Sequence, residues 1–105
     1  MFEFITVREL YELVFNADHI EKDNIEYVEL QGWVKTNRDN GSIGFIEFND
    51  GTYFKNVQLV YTNESKNHDV LNSLTTGCAI KVVGKLKLTP ENKQPFEILV
   101  DECEL

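Results

Sequence analysis

From Val28 onward, apolar and polar residues alternate with a period of two. Val28, Leu30, Gly32 and Val34 interleave with Glu29, Gln31, Trp33 and Lys35. Ile46 and Phe48 interleave with Phe45, Glu47 and Asn49, and Val57, Leu59 and Tyr61 with Gln58, Val60 and Thr62. Cys78, Ile80, Val82, Gly84, Leu86 and Leu88 interleave with Ala79, Lys81, Val83, Lys85 and Lys87, and Phe96, Ile98 and Val100 open a last run. Side chains on a strand point alternately to opposite faces, so each run predicts a strand with one face on a core. Asn49-Asp50-Gly51 is a turn signal, residues 63–67 form a polar connection, and residues 90–95 a loop. Two stretches read as helix. Thr6-Val7-Arg8-Glu9 fits a capping box, which predicts a helix over 7–15 with Leu10, Leu13 and Val14 on one face. Residues 69–74 predict a short helix contacting the core through Val70, Leu71 and Leu74, ended by Thr76-Gly77. Residues 16–26 are polar and turn-rich and read as a connector.

The order is strand, strand, strand, short helix, strand, strand. That is the order of a mainly β, five-stranded Greek-key OB barrel with a helix between its third and fourth strands. Gly32 and Gly84 inside strand patterns suit the bulges or sharp bends that a small barrel needs. The expected division is an N-terminal helix and connector over 1–27, followed by the barrel over 28–105. The N-terminal helix is expected to plug one end of the barrel, with partner docking as the alternative.

The 105 residues suffice for one compact domain, and 42% hydrophobic residues can build a core. No apolar run approaches a membrane span, and the first residues lack a basic and apolar secretion pattern. Cys78 and Cys103 are expected in strands, reduced and buried, as in a cytoplasmic protein. His19 and His68 lie far from both in sequence, so no metal site is expected. The net charge of -8 at first opposes nucleic-acid binding. Its distribution changes that picture. Residues 1–30 carry two basic and eight acidic side chains, and residues 101–105 three acidic ones. Residues 31–100 carry eight basic and seven acidic, so the central region is nearly neutral. A nonspecific polyanion binder would look different. A domain touching a few exposed bases fits.

Three residues on successive strands carry chemistry suited to one unpaired base. Phe45 shares its strand face with Glu47 and Asn49, so it points outward as a stacking platform, or else covers a neighbouring loop. Gln58 falls on the polar face of its strand, where an amide offers both donor and acceptor, or is simply solvated. Arg38 closes the first strand as a base or phosphate contact, or as an ordinary surface charge. Strict alternation puts Arg38 on the side of Leu30 and Val34, so a bend at Gly32 or a strand end must redirect it. Lys81, Lys85 and Lys87 line one polar face, and with Lys35, Lys55 and Lys93 can meet phosphates or form a solvated charged face. Glu97 can accept from the N1 and N2 donors of a guanine.

The string Gly32-Trp33-Val34, Arg38-Asp39, Phe45-Ile46, Asn49-Asp50-Gly51, Lys55-Asn56-Val57-Gln58 resembles the N-terminal anticodon-binding domain of the class II asparaginyl-, aspartyl- and lysyl-tRNA synthetases. The segments Asp50-Gly51-Thr52-Tyr53-Phe54-Lys55-Asn56 and Lys93-Gln94-Pro95-Phe96-Glu97-Ile98 look most like the asparaginyl members. The resemblance covers roughly residues 28–104. It implies that Arg38, Phe45 and Gln58 read the middle uridine of a GUU-type anticodon. Where many relatives carry further arginines, this chain has Thr36-Asn37. The resemblance also implies a cytoplasmic, homodimeric parent asparagine–tRNA ligase whose catalytic domain uses ATP and Mg2+. That domain holds ATP with arginines from two separate motifs, whereas this chain has only Arg8 and Arg38. The chain is therefore expected to have no catalytic site or cofactor of its own. It reads as an N-terminal domain apart from its catalytic part, or as a free-standing relative. Three further readings stay open: an anticodon-binding domain of aspartyl or lysyl type, since the uridine reader is shared, an OB protein binding single strands without sequence preference, and a protein-interaction module.

Overall fold

The structure, a computed structural model, describes residues 3–15, 27–39, 42–65, 68–88 and 96–105. Its elements are β1 (Glu3–Phe4), α1 (Val7–Phe15), β2 (Tyr27–Asp39), β3 (Ile43–Asn49), β4 (Val57–Thr62), α2 (His68–Ser73), β5 (Ala79–Leu88) and β6 (Phe96–Glu104). The period-two runs become β2 to β6. The sheet runs β1-β2-β3-β4-β6-β5, and a further pairing of β2 with β5 closes β2 to β6 into a barrel. This is the expected five-stranded architecture with its two helices. The two-residue β1, which pairs in parallel with β2 at Val28 and Glu29, is an addition too short to carry a periodic signal.

Closure depends on β2 serving two neighbours. Its first half pairs with β5 from Tyr27↔Lys85 to Trp33↔Ala79, and its second half with β3 from Trp33↔Asn49 to Asp39↔Gly44. The strand bends where one partner hands over to the other. Gly32 sits at that corner, where a Cβ would collide with the Asn49 carbonyl oxygen and the Phe48 ring. At Gly84 the expected irregularity is a register shift against β6 between Val83 and Gly84.

The inward residues of all five strands, among them Leu30, Val34, Ile46, Phe48, Leu59, Val82 and Ile98, form one core with the two helices. Helix α1 contributes Val7, Leu10, Tyr11 and Val14, an i, i+3, i+4, i+7 set. Leu13 is not on that face. It is 43% exposed, and Tyr11 takes the buried place assigned to it from sequence. Helix α2 buries Leu71, with Leu74 just beyond its end and Val70 packed partly against the core.

The N-terminus of α1 is tied down twice. Within the chain's own first turn, Glu9 N donates to Thr6 Oγ1 (3.1 Å) and Thr6 N to Glu9 Oε1 (3.2 Å), the reciprocal bonds of a capping box. Across the fold, Val7 N donates to Asp50 Oδ2 and Arg8 N to Thr52 Oγ1, both at 3.0 Å. The β3–β4 loop thus satisfies amides that have no partner inside the helix. The loop itself turns at Gly51, whose φ of 81° favours glycine and whose N–H donates to Asn49 Oδ1 at 2.6 Å. The predicted connector over 16–26 lies outside the described residues. Among the described residues no helix is long and apolar enough to cross a membrane.

Candidate nucleic-acid interface

Alternation fixes β3 directly. Ile46 and Phe48 are fully buried, and Phe45 between turns of that pattern is half-buried on the outer side. Gln58 is half-buried on β4, opposite Glu47. Arg38 reaches the same face for a different reason. The β2–β3 register shifts between Val34 and Thr36, so Val34 faces Phe48 and Thr36 faces Glu47, with Lys35 left over. A β-bulge absorbs one residue without a partner. Every side chain after it changes face relative to strict alternation, and Arg38 lands opposite Phe45. The redirection expected at Gly32 or at the strand end is achieved by this bulge instead.

Two rows of register partners cross the outer face. One runs Arg38, Phe45, Val60, Leu99, Lys85. The other runs Thr36, Glu47, Gln58 on three strands and continues to Glu97 and Lys87 on β6 and β5. Arg38, Phe45 and Gln58, with Asp39, line a shallow concavity of about 260 Å³. It holds a cation, a ring, an amide and a carboxylate, the set of groups that contact a splayed base.

The strand end carrying Arg38 is braced from below. Asn37 Nδ2 donates to the carbonyls of Leu71 (2.9 Å) and Leu74 (3.0 Å) at the C-terminal end of α2. Tyr61 Oη donates to Asn37 Oδ1 at 2.9 Å and lies 3.4 Å from Asp39 Oδ2. Burial, then the Asp39 charge, raise the Tyr61 pKa above its ordinary value, which keeps the phenol a donor. Asp39 and this bracing were not singled out from sequence. The signal for Asn37 was its inward position once a bulge is allowed, which alternation alone hides.

Glu97 is half-buried beside Gln58 and accepts from its amide, Gln58 Nε2 to Glu97 Oε2 at 3.2 Å. Lys87 is exposed opposite Glu97 in register. Lys35 is exposed at the bulge, and its carbonyl accepts from Thr76 Oγ1 at 2.9 Å. Lys55 is not gathered with the others. It lies in the loop at the far end of β3, its Nζ 5.7 Å from the Phe54 ring. Phe54 is 80% exposed and its ring lies tilted against that of Tyr53, centroids 4.6 Å apart, a feature that periodicity does not reveal because it sits in a loop. Lys81, grouped with Lys85 and Lys87 from sequence, is held between Glu29 (3.8 Å) and Glu104 (3.9 Å). Lys93 lies outside the described residues. Of the two thiols, Cys103 matches expectation and Cys78 does not. Cys103 is buried on β6, and burial followed by the Glu104 charge pushes its pKa up to about 11. Cys78 precedes β5 rather than lying in it and is half-buried. Hydrogen bonds from the backbone and then the hydroxyl of Thr75 lower its pKa.

Comparison with known proteins adds the context of this face. Residues 28–105 match the family described as OB-fold nucleic acid binding domain, of the tRNA anticodon type. The asparagine–tRNA ligase of Acholeplasma laidlawii is 43% identical over 91 residues, covering 82% of this chain and 20% of that protein. The asparagine–tRNA ligase of Alkaliphilus metalliredigens is 37% identical over 101 residues, covering 96% of this chain and 20% of that protein. The crystal structure of asparaginyl-tRNA synthetase from Pyrococcus horikoshii complexed with asparaginyl-adenylate superposes with a TM-score of 0.74 at 22% identity. It covers 100% of this chain and 22% of that one. The chain thus spans about a fifth of the length of the curated relatives it matches.

Proposed function

Because the chain belongs to the family of OB-fold nucleic acid binding domains of the anticodon type, we propose that it recognises the anticodon loop of a transfer RNA as one domain of an asparagine–tRNA ligase. The observation that carries this reading is the bulge between Val34 and Thr36, which sets Arg38 opposite Phe45 and beside Gln58 around one concavity. A flipped pyrimidine stacks on Phe45. Its edge meets the Gln58 amide, and the Arg38 guanidinium supplies donors for a carbonyl oxygen or a flanking phosphate. The base is the middle uridine of a GUU anticodon. Lys35 and Lys87, with Lys55 and Lys93 farther from the concavity or outside the described residues, are assigned to the RNA backbone.

The rest of the activity is assigned to the larger protein. Attachment of asparagine, with ATP and Mg2+, belongs to a catalytic domain of the same polypeptide, which we take to be cytoplasmic and to form a homodimer. Among the described residues no three of His, Cys, Asp and Glu converge as metal ligands.

The test is a titration of this chain with two anticodon stem-loops, one bearing GUU and one with the middle U changed to C, at low salt. Tighter binding of the GUU loop is expected. Equal affinities would reduce the face to a single-strand binder without base preference.

A further inference from the structure

The Gln58 amide has two ends with opposite chemistry, and only one of them suits a uracil. The edge of uracil presents a donor at N3 between two carbonyl acceptors, whereas cytosine presents an acceptor at N3. An amide oxygen turned to the base accepts from uracil N3–H and meets cytosine N3 lone pair to lone pair. An amide nitrogen turned to the base does the reverse. The U-over-C choice therefore depends on which way Gln58 is turned.

We infer that Glu97 is a positioning residue that sets this choice by holding the Gln58 amide in one orientation. Gln58 stands on β4 between β3, which carries Phe45, and β6, which carries Glu97. Its Nε2 donates to Glu97 Oε2 at 3.2 Å, toward β6. With Nε2 held on the β6 side, the inference turns Oε1 to the concavity, which Gln58 lines and Glu97 does not. An ionised carboxylate only accepts hydrogen bonds, so it can hold the nitrogen end of an amide and not the oxygen end. The lock has a direction because the holder is a carboxylate rather than an amide or hydroxyl.

The inference rests on the anticodon reading above and assigns Glu97 a role distinct from direct contact with a guanine. Glu97→Gln keeps the size of the side chain but allows both amide orientations. It is expected to cut the ratio of middle-U to middle-C stem-loop affinities about tenfold, the worth of one well-oriented hydrogen bond. Glu97→Lys supplies only donors, turns Gln58 over, and is expected to bring the ratio to one or below. In a Gln58→Ala background neither change should move the ratio further. Thermal melts of each variant report whether the barrel is intact.

If wild type itself shows no U-over-C preference, the anticodon reading fails. If wild type discriminates and folded Glu97→Gln keeps the full ratio, the positioning role alone is overturned. It is equally overturned if Glu97→Gln lowers the ratio as much in the Gln58→Ala background, because Glu97 would then act on the base without Gln58.

Discussion

Phe45 and Phe48 lie three residues apart on β3 and face opposite ways, one half-buried over the outer concavity and one with no exposed surface. Their truncations should separate binding from stability. Phe45→Ala is expected to weaken stem-loop binding by about 1–3 kcal/mol, the range for one base stacked on an aromatic ring, with little change in the thermal midpoint. Phe48→Ala is expected to cost roughly 3–5 kcal/mol of stability, since it leaves a hole in a closed barrel. Titration and melting of both variants check this, and a barrel that unfolds on Phe45→Ala but tolerates Phe48→Ala would reverse the assignment. At this scale the sequence was informative wherever a side chain's face follows from counting by twos, as for Phe45 and Gln58. It was silent on Glu97 and Gln58 touching, because they are distant in sequence and meet only through a parallel strand pair. Tyr11 is hidden for a simpler reason: an aromatic residue with a hydroxyl can bury its ring and still donate a hydrogen bond, here to the Asn56 carbonyl.

Elements were legible almost to their ends, because long period-two runs and a capping box are strong local signals. Helix α1 runs over the expected 7–15, and α2 starts one residue before the expected 69. The bulge in β2 was not legible. Alternation assumes that every residue has a partner, and the extra Lys35 is visible only against the opposing strand. The loop after β3 carries only a turn signal in sequence, whereas the structure also uses it as a cap for α1. Asp50→Ala removes the acceptor of the Val7 amide. It is expected to lower stability by about 1 kcal/mol, as loss of a helix cap does. The preference for middle U should be unchanged, because this loop is at the far end of β3 from Phe45. A denaturant titration beside the stem-loop titration tests both halves. A full loss of base preference with an intact fold would mean that the loop reaches the reading face.

Over the whole molecule, the charge of -8 and the nucleic-acid role are compatible because recognition is local. Glu29 and Glu104 engage Lys81 on β5, while Arg38 stands exposed over its concavity. Few phosphate contacts also mean a modest grip for this chain alone. The ring of strands is uneven. Four of its joints are antiparallel, whereas β4 and β6 run parallel and register, among the described residues, at Leu59↔Ile98 and Val60↔Leu99. Gln58 and Glu97 stand one step before those pairs, at the mouth of the joint. Thermal opening of a closed ring begins where the fewest bonds must break. A nucleotide seated on Gln58 while Glu97 holds that side chain spans the joint from outside, like a clasp. Amide exchange at Leu59, Val60, Ile98 and Leu99 should then slow on stem-loop binding more than exchange along β2–β5, and uniform slowing would deny it. The coupling runs both ways: the open fraction of the barrel lowers the affinity for the nucleotide, and the bound nucleotide lowers the open fraction by the same free energy.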